Sequence, residues 1–181
     1  MQLLKIIKAF DQRLFKKAQK VTVFDDYLEE FSENLRYTMN ALGGCGLAAI
    51  QVEDDPKFQL KEFDNYRAQP NIIIIQPSDA DFLVAINPEI THYSTETDFS
   101  QEGCLSIPGK KSVAKIERSI SIKVKYQNLQ GKEIENTLTN EAARIFQHEY
   151  DHNIGILFPQ RLESSRENFF WIKYRQEIKR K

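Results

Sequence analysis

The chain has 181 residues, enough for one domain with a sizeable core, and its 41% hydrophobic and 28% charged content marks an ordinary soluble globular protein. A net charge of −1 gives no overall attraction for polyanions, so neither direct nucleic-acid readout nor membrane association is expected. Cys45 and Cys104 alone make no secreted disulfide framework, the opening MQLLKIIKAF lacks a signal-peptide cleavage region, and no stretch approaches ~20 apolar residues, so a reducing cytoplasm is the expected compartment.

No repeat, low-complexity tract or Pro/Gly/Ser linker divides the sequence, so residues 1–181 read as a single domain. Leu28, Phe31, Leu35 and Met39 recur at helical steps, which predicts a helix over 26–41 that Gly43 and Gly44 stop. Residues 53–71 are polar and irregular and predict a surface loop. The apolar runs 72–75 and 82–86 suit buried strands. From 119 to 126, Ile120, Ile122, Val124 and Tyr126 alternate with Ser121, Lys123 and Lys125; a turn around Asn128–Gly131 then leads to a second strand near 132–138, predicting a hairpin. Thr139 is placed to cap a helix over about 140–153. Residues 163–180 predict a last amphipathic helix, packed on its own domain through Phe169, Phe170 and Ile172. The fold class is α+β, with mixed or antiparallel sheets around a central helix carrying His148 and His152, plus an N-terminal and a C-terminal helix.

That central helix holds the chemistry. Residues 147–152 read Gln-His-Glu-Tyr-Asp-His and contain two of the three histidines in the chain. Four residues apart, His148 and His152 project from one helix face about a turn from each other, so two imidazoles can bind one metal ion with Glu149 placed to move a proton. A catalytic metal site normally takes three protein ligands and keeps one position open. His92 lies in a polar Thr-His-Tyr-Ser-Thr stretch that reads as solvent-exposed surface. Cys104, in Glu-Gly-Cys-Leu-Ser, is the better third candidate, although a lone cysteine is more commonly a small buried hydrophobe. Residues 44–51, Gly-Cys-Gly-Leu-Ala-Ala-Ile-Gln, combine small residues that admit a close backbone contact with a glutamine that can donate from its amide.

Taken together and in this order, GCGLAAIQ, EGCLS and QHEYDH resemble the three signature segments of the peptide deformylase family. Flanking stretches agree, among them Arg13-Leu14, Ile86-Asn-Pro-Glu89 and Gly155-Ile-Leu-Phe158, so the resemblance covers nearly the whole chain. It implies one divalent metal ion held by Cys104, His148 and His152, with Fe²⁺ as the ion in the cell and Zn²⁺, Ni²⁺ or Co²⁺ able to replace it. It also implies an N-formyl-methionyl nascent peptide as substrate, with formate released. Glu149 would take the proton of the attacking water and return it to the departing amine. The Gln51 side-chain amide and the Leu105 backbone N–H would stabilise the oxyanion beside the metal. Substrate contacts are expected from Gly44, Cys45, Gly46, Gly103, Glu141, Arg144 and Ile145. Metal-bound imidazoles usually donate their other N–H to an acceptor, which puts Asp151 and Gln147 behind them, with a helix-surface carboxylate the other reading of Asp151; the resemblance pairs Glu102 with Arg118.

One departure stands out. Glu141 falls seven residues before His148, where relatives usually carry an apolar residue lining the methionine pocket. This motivates an alternative reading: a catalytically weak or inactive protein that binds metal or peptide N-termini. The C-terminal segment from Arg161 holds seven Lys/Arg and three Glu, a local charge of +4, and in some relatives a C-terminal helix docks at the ribosome, which the resemblance offers as a second role beside packing on its own domain.

Overall fold

A computed structural model describes residues 1–53, 69–78, 80–107, 109 and 112–178. Helix α1 (Asp26–Ala41) starts at Asp25, whose carboxylate accepts from the Leu28 N–H, and ends before Gly43, which has a φ of 68°. Strands β1 (Gly46–Ala48), β2 (Ile72–Ile75), β3 (Leu83–Tyr93), β6 (Ser121–Gln127) and β7 (Glu133–Thr139) form one antiparallel sheet in the order β1-β2-β3-β6-β7. Strands β4 (Thr97–Glu102) and β5 (Ala114–Ser119) pair as a separate two-stranded sheet. Helices α2 (Asn140–Asn153) and α3 (Ser164–Ile178) complete the chain.

Four consecutive isoleucines in β2 explain how the larger sheet is sandwiched. Side chains alternate across a strand, so Ile72 and Ile74 enter one apolar cluster with Phe31, Leu35 and Met39 of α1. Ile73 and Ile75 enter a second cluster on the opposite face with Ala143, Ile145 and Phe146 of α2. A strand covered on both faces carries an unbroken apolar run, as this one does. The third cluster joins Ile7 and Leu14 of the N-terminal segment, Ile116 of β5, and Leu157 and Phe158 beyond α2; Cys104, Phe170 and Trp171 pack against it.

Most of the expected elements are present, with four differences. Strand β3 continues to Tyr93, past the expected end at 86, because Asn87 adopts a φ of 52° and takes up the irregularity in the pairing with β6. Strand β4 and most of β5 precede the alternating stretch that sequence periodicity picks out. Thr139 precedes α2 but makes no side-chain capping bond; Asn140 enters the helix at φ 52° with its N–H on the Ile120 carbonyl. Helix α3 is held through Phe170 and Trp171 while Ile172 is 57% exposed, and the Phe169 side chain lies outside what is described. The loop expected over 53–71 falls largely outside the described residues.

Candidate active site

Two elements bring the ligand candidates together. Helix α2 presents His148 and His152 from its buried face, with ring centroids 5.1 Å apart. The turn after β4 presents Cys104, held by pairing between Cys104 and Ile107. One donor atom from each of the three lies within 4.8 Å of the other two, and Cys104 Sγ is 3.2 Å from His152 Nε2. A half-buried soft sulfur donor converging with two buried imidazoles fits one transition-metal ion. His92 lies exposed on β3 and takes no part.

The imidazoles are prepared differently. His148 Nδ1 lies 2.9 Å from Glu102 Oε2, which leaves its other nitrogen for the ligand cluster. Burial disfavours a charge on His148, but its contacts with Cys104 and Glu102, together with the nearby Glu149 carboxylate, outweigh that and hold its pKa well above the ordinary value. Burial and the neighbouring His148 push His152 well below it, and His152 Nδ1 has no hydrogen-bond partner among the described residues.

Beneath the cluster lies a buried ion network. Arg118 of β5 donates twice to Glu102, with Nε to Oε1 and Nη2 to Oε2 both at 3.0 Å, and its Nη1 reaches Asp151 Oδ2 at 2.5 Å. Burial opposes the Glu102 charge, yet His148 and Arg118 hold its carboxyl down at about 2. The expected Glu102–Arg118 pair is therefore present. The expectation for Asp151 is corrected: its carboxylate is taken by Arg118 and Arg161, and Glu102 serves the imidazole instead. Gln147 likewise turns away from the histidines. Its amide donates to the carbonyls of Ser119 and Ala143 and accepts from the Ser119 N–H, pinning α2 to the β5–β6 junction.

Glu149 is buried against β1, and its Oε2 has no hydrogen-bond partner among the described residues. Burial pushes its carboxyl up to about 7. Gln51 follows β1 in a short 3-10 turn; its Oε1 accepts from the Ala48 N–H at 2.9 Å, and its Nε2 points to Cys104 Sγ at 3.4 Å and Ser106 Oγ at 3.2 Å. A cavity of about 700 Å³ opens over these groups. Its lining includes Gly44, Cys45, Gly46, Gln51, Gly103, Cys104, Leu105, Glu141, Arg144, Ile145, His148 and Glu149, so every candidate residue except the deeper His152 borders one space. Sequence reasoning missed Glu102 as the partner of His148, Arg161 as the second partner of Asp151, and Ser106 behind Gln51. The available signal was that Glu102 and Ser106 lie inside the Glu-Gly-Cys-Leu-Ser segment, and that Arg161 follows the second histidine along the chain.

An antiparallel α+β framework that holds a Cys/His/His donor group beside a buried carboxylate defines a metal-dependent hydrolase. The polypeptide deformylase profile matches residues 3–168. A peptide deformylase of Thermotoga petrophila is 39% identical over 156 residues, covering 86% of this chain and 85% of that protein. The crystal structure of the Thermotoga maritima peptide deformylase superposes with a TM-score of 0.78 at 37% identity, covering 90% of this chain and 99% of that one. A class I type b peptide deformylase from Acinetobacter baumannii, crystallised with Met-Ala-Ser bound, gives a TM-score of 0.77 at 31% identity over 89% and 99% of the two chains. The chain belongs to the polypeptide deformylase family. Its activity is hydrolytic removal of the N-formyl group from the N-terminal formyl-methionine of new polypeptides, with one metal ion at the Cys/His/His group; the inactive alternative is not favoured.

Proposed function

We propose that deformylation takes place in this cavity, with Cys104, His148 and His152 holding the ion, Fe²⁺ in the cell, and Glu149 serving as the base. One observation carries the reading: three donor atoms converge, those of Cys104 and His148 at the cavity wall and that of His152 behind them, beside a buried carboxylate whose Oε2 is unpartnered among the described residues. When bound, the ion supplies Lewis acidity, lowering the pKa of water and polarising the formyl oxygen. One thiolate and two imidazoles suit several late divalent ions, so Zn²⁺, Ni²⁺ or Co²⁺ can replace Fe²⁺.

Glu149 takes the proton of the attacking water and returns it to the nitrogen of the departing amine, which leaves formate and a free N-terminus. The oxyanion is met by the Gln51 Nε2 amide, already turned toward Cys104, and by the Leu105 backbone N–H. A preorganised donor of this kind is worth about 3–4 kcal/mol of barrier.

The peptide lies extended between Gly44-Cys45-Gly46 and Gly103, bound by main-chain hydrogen bonds, with its first side chain against Glu141, Arg144 and Ile145. Among the described residues a β-carbon on Gly103 would meet only Val113 Cγ1, at 3.4 Å, so packing against them does not require glycine there. Close approach of a substrate backbone does. Among the described residues no helix is long and apolar enough to cross a membrane, and the reaction belongs in the cytoplasm. Helix α3, in a segment of net charge +4, is the surface offered to the ribosome.

The deciding experiment measures formate release from formyl-Met-Ala-Ser by anaerobic, Fe²⁺-reconstituted protein. Turnover is expected in the wild type. Glu149→Ala should keep one metal per chain and lose several orders of magnitude in kcat, whereas Cys104→Ala should lose the metal. Undiminished turnover in Glu149→Ala would remove Glu149 as the base.

A further inference from the structure

Beyond His148 and Glu149, the wall that α2 gives the cavity contains two more charged residues, Glu141 and Arg144, beside the apolar Ile145. Spacings of seven, four and three residues put all three on the helix face that carries His148. At 1.5 Å per residue, Glu141 marks the end of that wall about 10 Å from His148. This is roughly the reach of an amino-acid side chain whose backbone begins at the donor cluster.

Neither charged head is loose. The Arg144 guanidinium donates to Glu102 Oε1 at 3.0 Å, to the Ile116 carbonyl at 2.9 Å and to the Asp98 carbonyl at 2.7 Å, which draws it against the two-stranded sheet. Glu141 Oε2 accepts from both the Ser78 N–H, at 2.9 Å, and the Ser78 hydroxyl, at 2.5 Å. Ser78 belongs to the connection between β2 and β3 and does not line the cavity. These bonds hold the Glu141 carboxyl below its usual range, so it remains charged at neutral pH.

A charged carboxylate turned into the cavity would lose water without gaining a partner when an apolar side chain entered, an unfavourable exchange. Turned toward Ser78, the same residue keeps its charge hydrogen-bonded at the rim and offers the cavity its methylene stem. We propose that Ser78 is a specificity-setting positioning residue: by capturing the Glu141 carboxylate it keeps the first-residue pocket suited to a linear apolar side chain, and losing that capture opens the pocket to a cationic one. The proposal rests on the reading that this cavity holds the first residue of the substrate.

The test compares kcat and KM for formyl-Met-Ala-Ser, formyl-norleucyl-Ala-Ser and α-N-formyl-Lys-Ala-Ser. The proteins are wild type, Ser78→Ala, Glu141→Leu and the double variant. Ser78→Ala, which removes the hydroxyl bond and leaves the residue-78 N–H as the only one of the two donors, should leave kcat for the methionine peptide within about twofold and raise its KM at least threefold. It should also raise kcat/KM for the lysine peptide at least threefold. In the Glu141→Leu background the same serine change should move neither ratio, because no carboxylate is left to release. An unchanged Met/Lys preference in Ser78→Ala, or an equal shift with and without Glu141, overturns the proposal while wild-type turnover stands. A wild type that releases formate from none of the peptides overturns the underlying functional reading as well, so the two failures are told apart.

Discussion

At Gly46 a β-carbon would stand 2.5 Å from Glu149 Oε1 and 2.7 Å from Ile145 Cγ2. Real contacts of that length do not occur, so strand β1 and helix α2 approach as closely as they do only because this residue has no side chain. The sequence reading took the small residues of 44–46 as room for a ligand. In the structure the room at Gly46 is already used, by the carboxylate assigned as the base. Gly46→Ala should therefore push Glu149 off its position while leaving the rest of the helix anchored. A displacement of about 1 Å at a reacting group can cost on the order of 10²-fold in rate. We expect a loss of that order in kcat/KM with the far-UV circular dichroism spectrum retained; activity within threefold of wild type would show that Glu149 does not need the space.

Among the elements, α1 and β6 were legible because each shows one clean period: apolar residues at helical steps in the first, strict alternation in the second. Strand β4 was not, because Thr97–Glu102 buries a carboxylate and leaves Phe99 exposed, which inverts the usual pattern. That inversion has a cause in the site. Glu102 of β4 faces inward to meet Arg118 of β5 and, on α2, both Arg144 and His148, while Arg118 also holds Asp151. The motifs pointed to the candidate site residues, but a side-chain network between three elements has no sequence period to reveal it. Arg118 and its carboxylate partners are each about 5% exposed, so removing the cation strands buried charge. Arg118→Met should lower stability by about 3–5 kcal/mol, the usual cost of breaking a buried pair from one side. Denaturant unfolding of the metal-free protein measures this directly, and a loss below about 1 kcal/mol would mean that Arg144 and Arg161 suffice.

For the whole molecule, the site is where the three apolar clusters meet. Leu47, just before Gln51, belongs to the cluster under α1, Ile145 to the one under α2, and Cys104 packs on the third with Phe158. The donor set therefore spans two otherwise separate sheets: the sulfur comes from the turn after β4, the two imidazoles from the helix that covers the five-stranded sheet. An ion joining those three atoms links the halves of the fold, and it binds the folded chain far better than an unfolded one in which they are dispersed. Stabilisation of this kind grows as the logarithm of free metal over its dissociation constant, about 3–4 kcal/mol at 100- to 1,000-fold excess. For a chain of this size each kcal/mol moves the melting temperature by about 2–4 °C. Stripping the metal with a chelator should therefore lower the melting temperature by roughly 6–16 °C in scanning calorimetry. Cys104→Ala should melt at one temperature with or without chelator, because one of its three donors is gone. A wild-type protein that loses its metal by elemental analysis yet melts unchanged would show that the ion is held within one half of the fold and does not bridge the two.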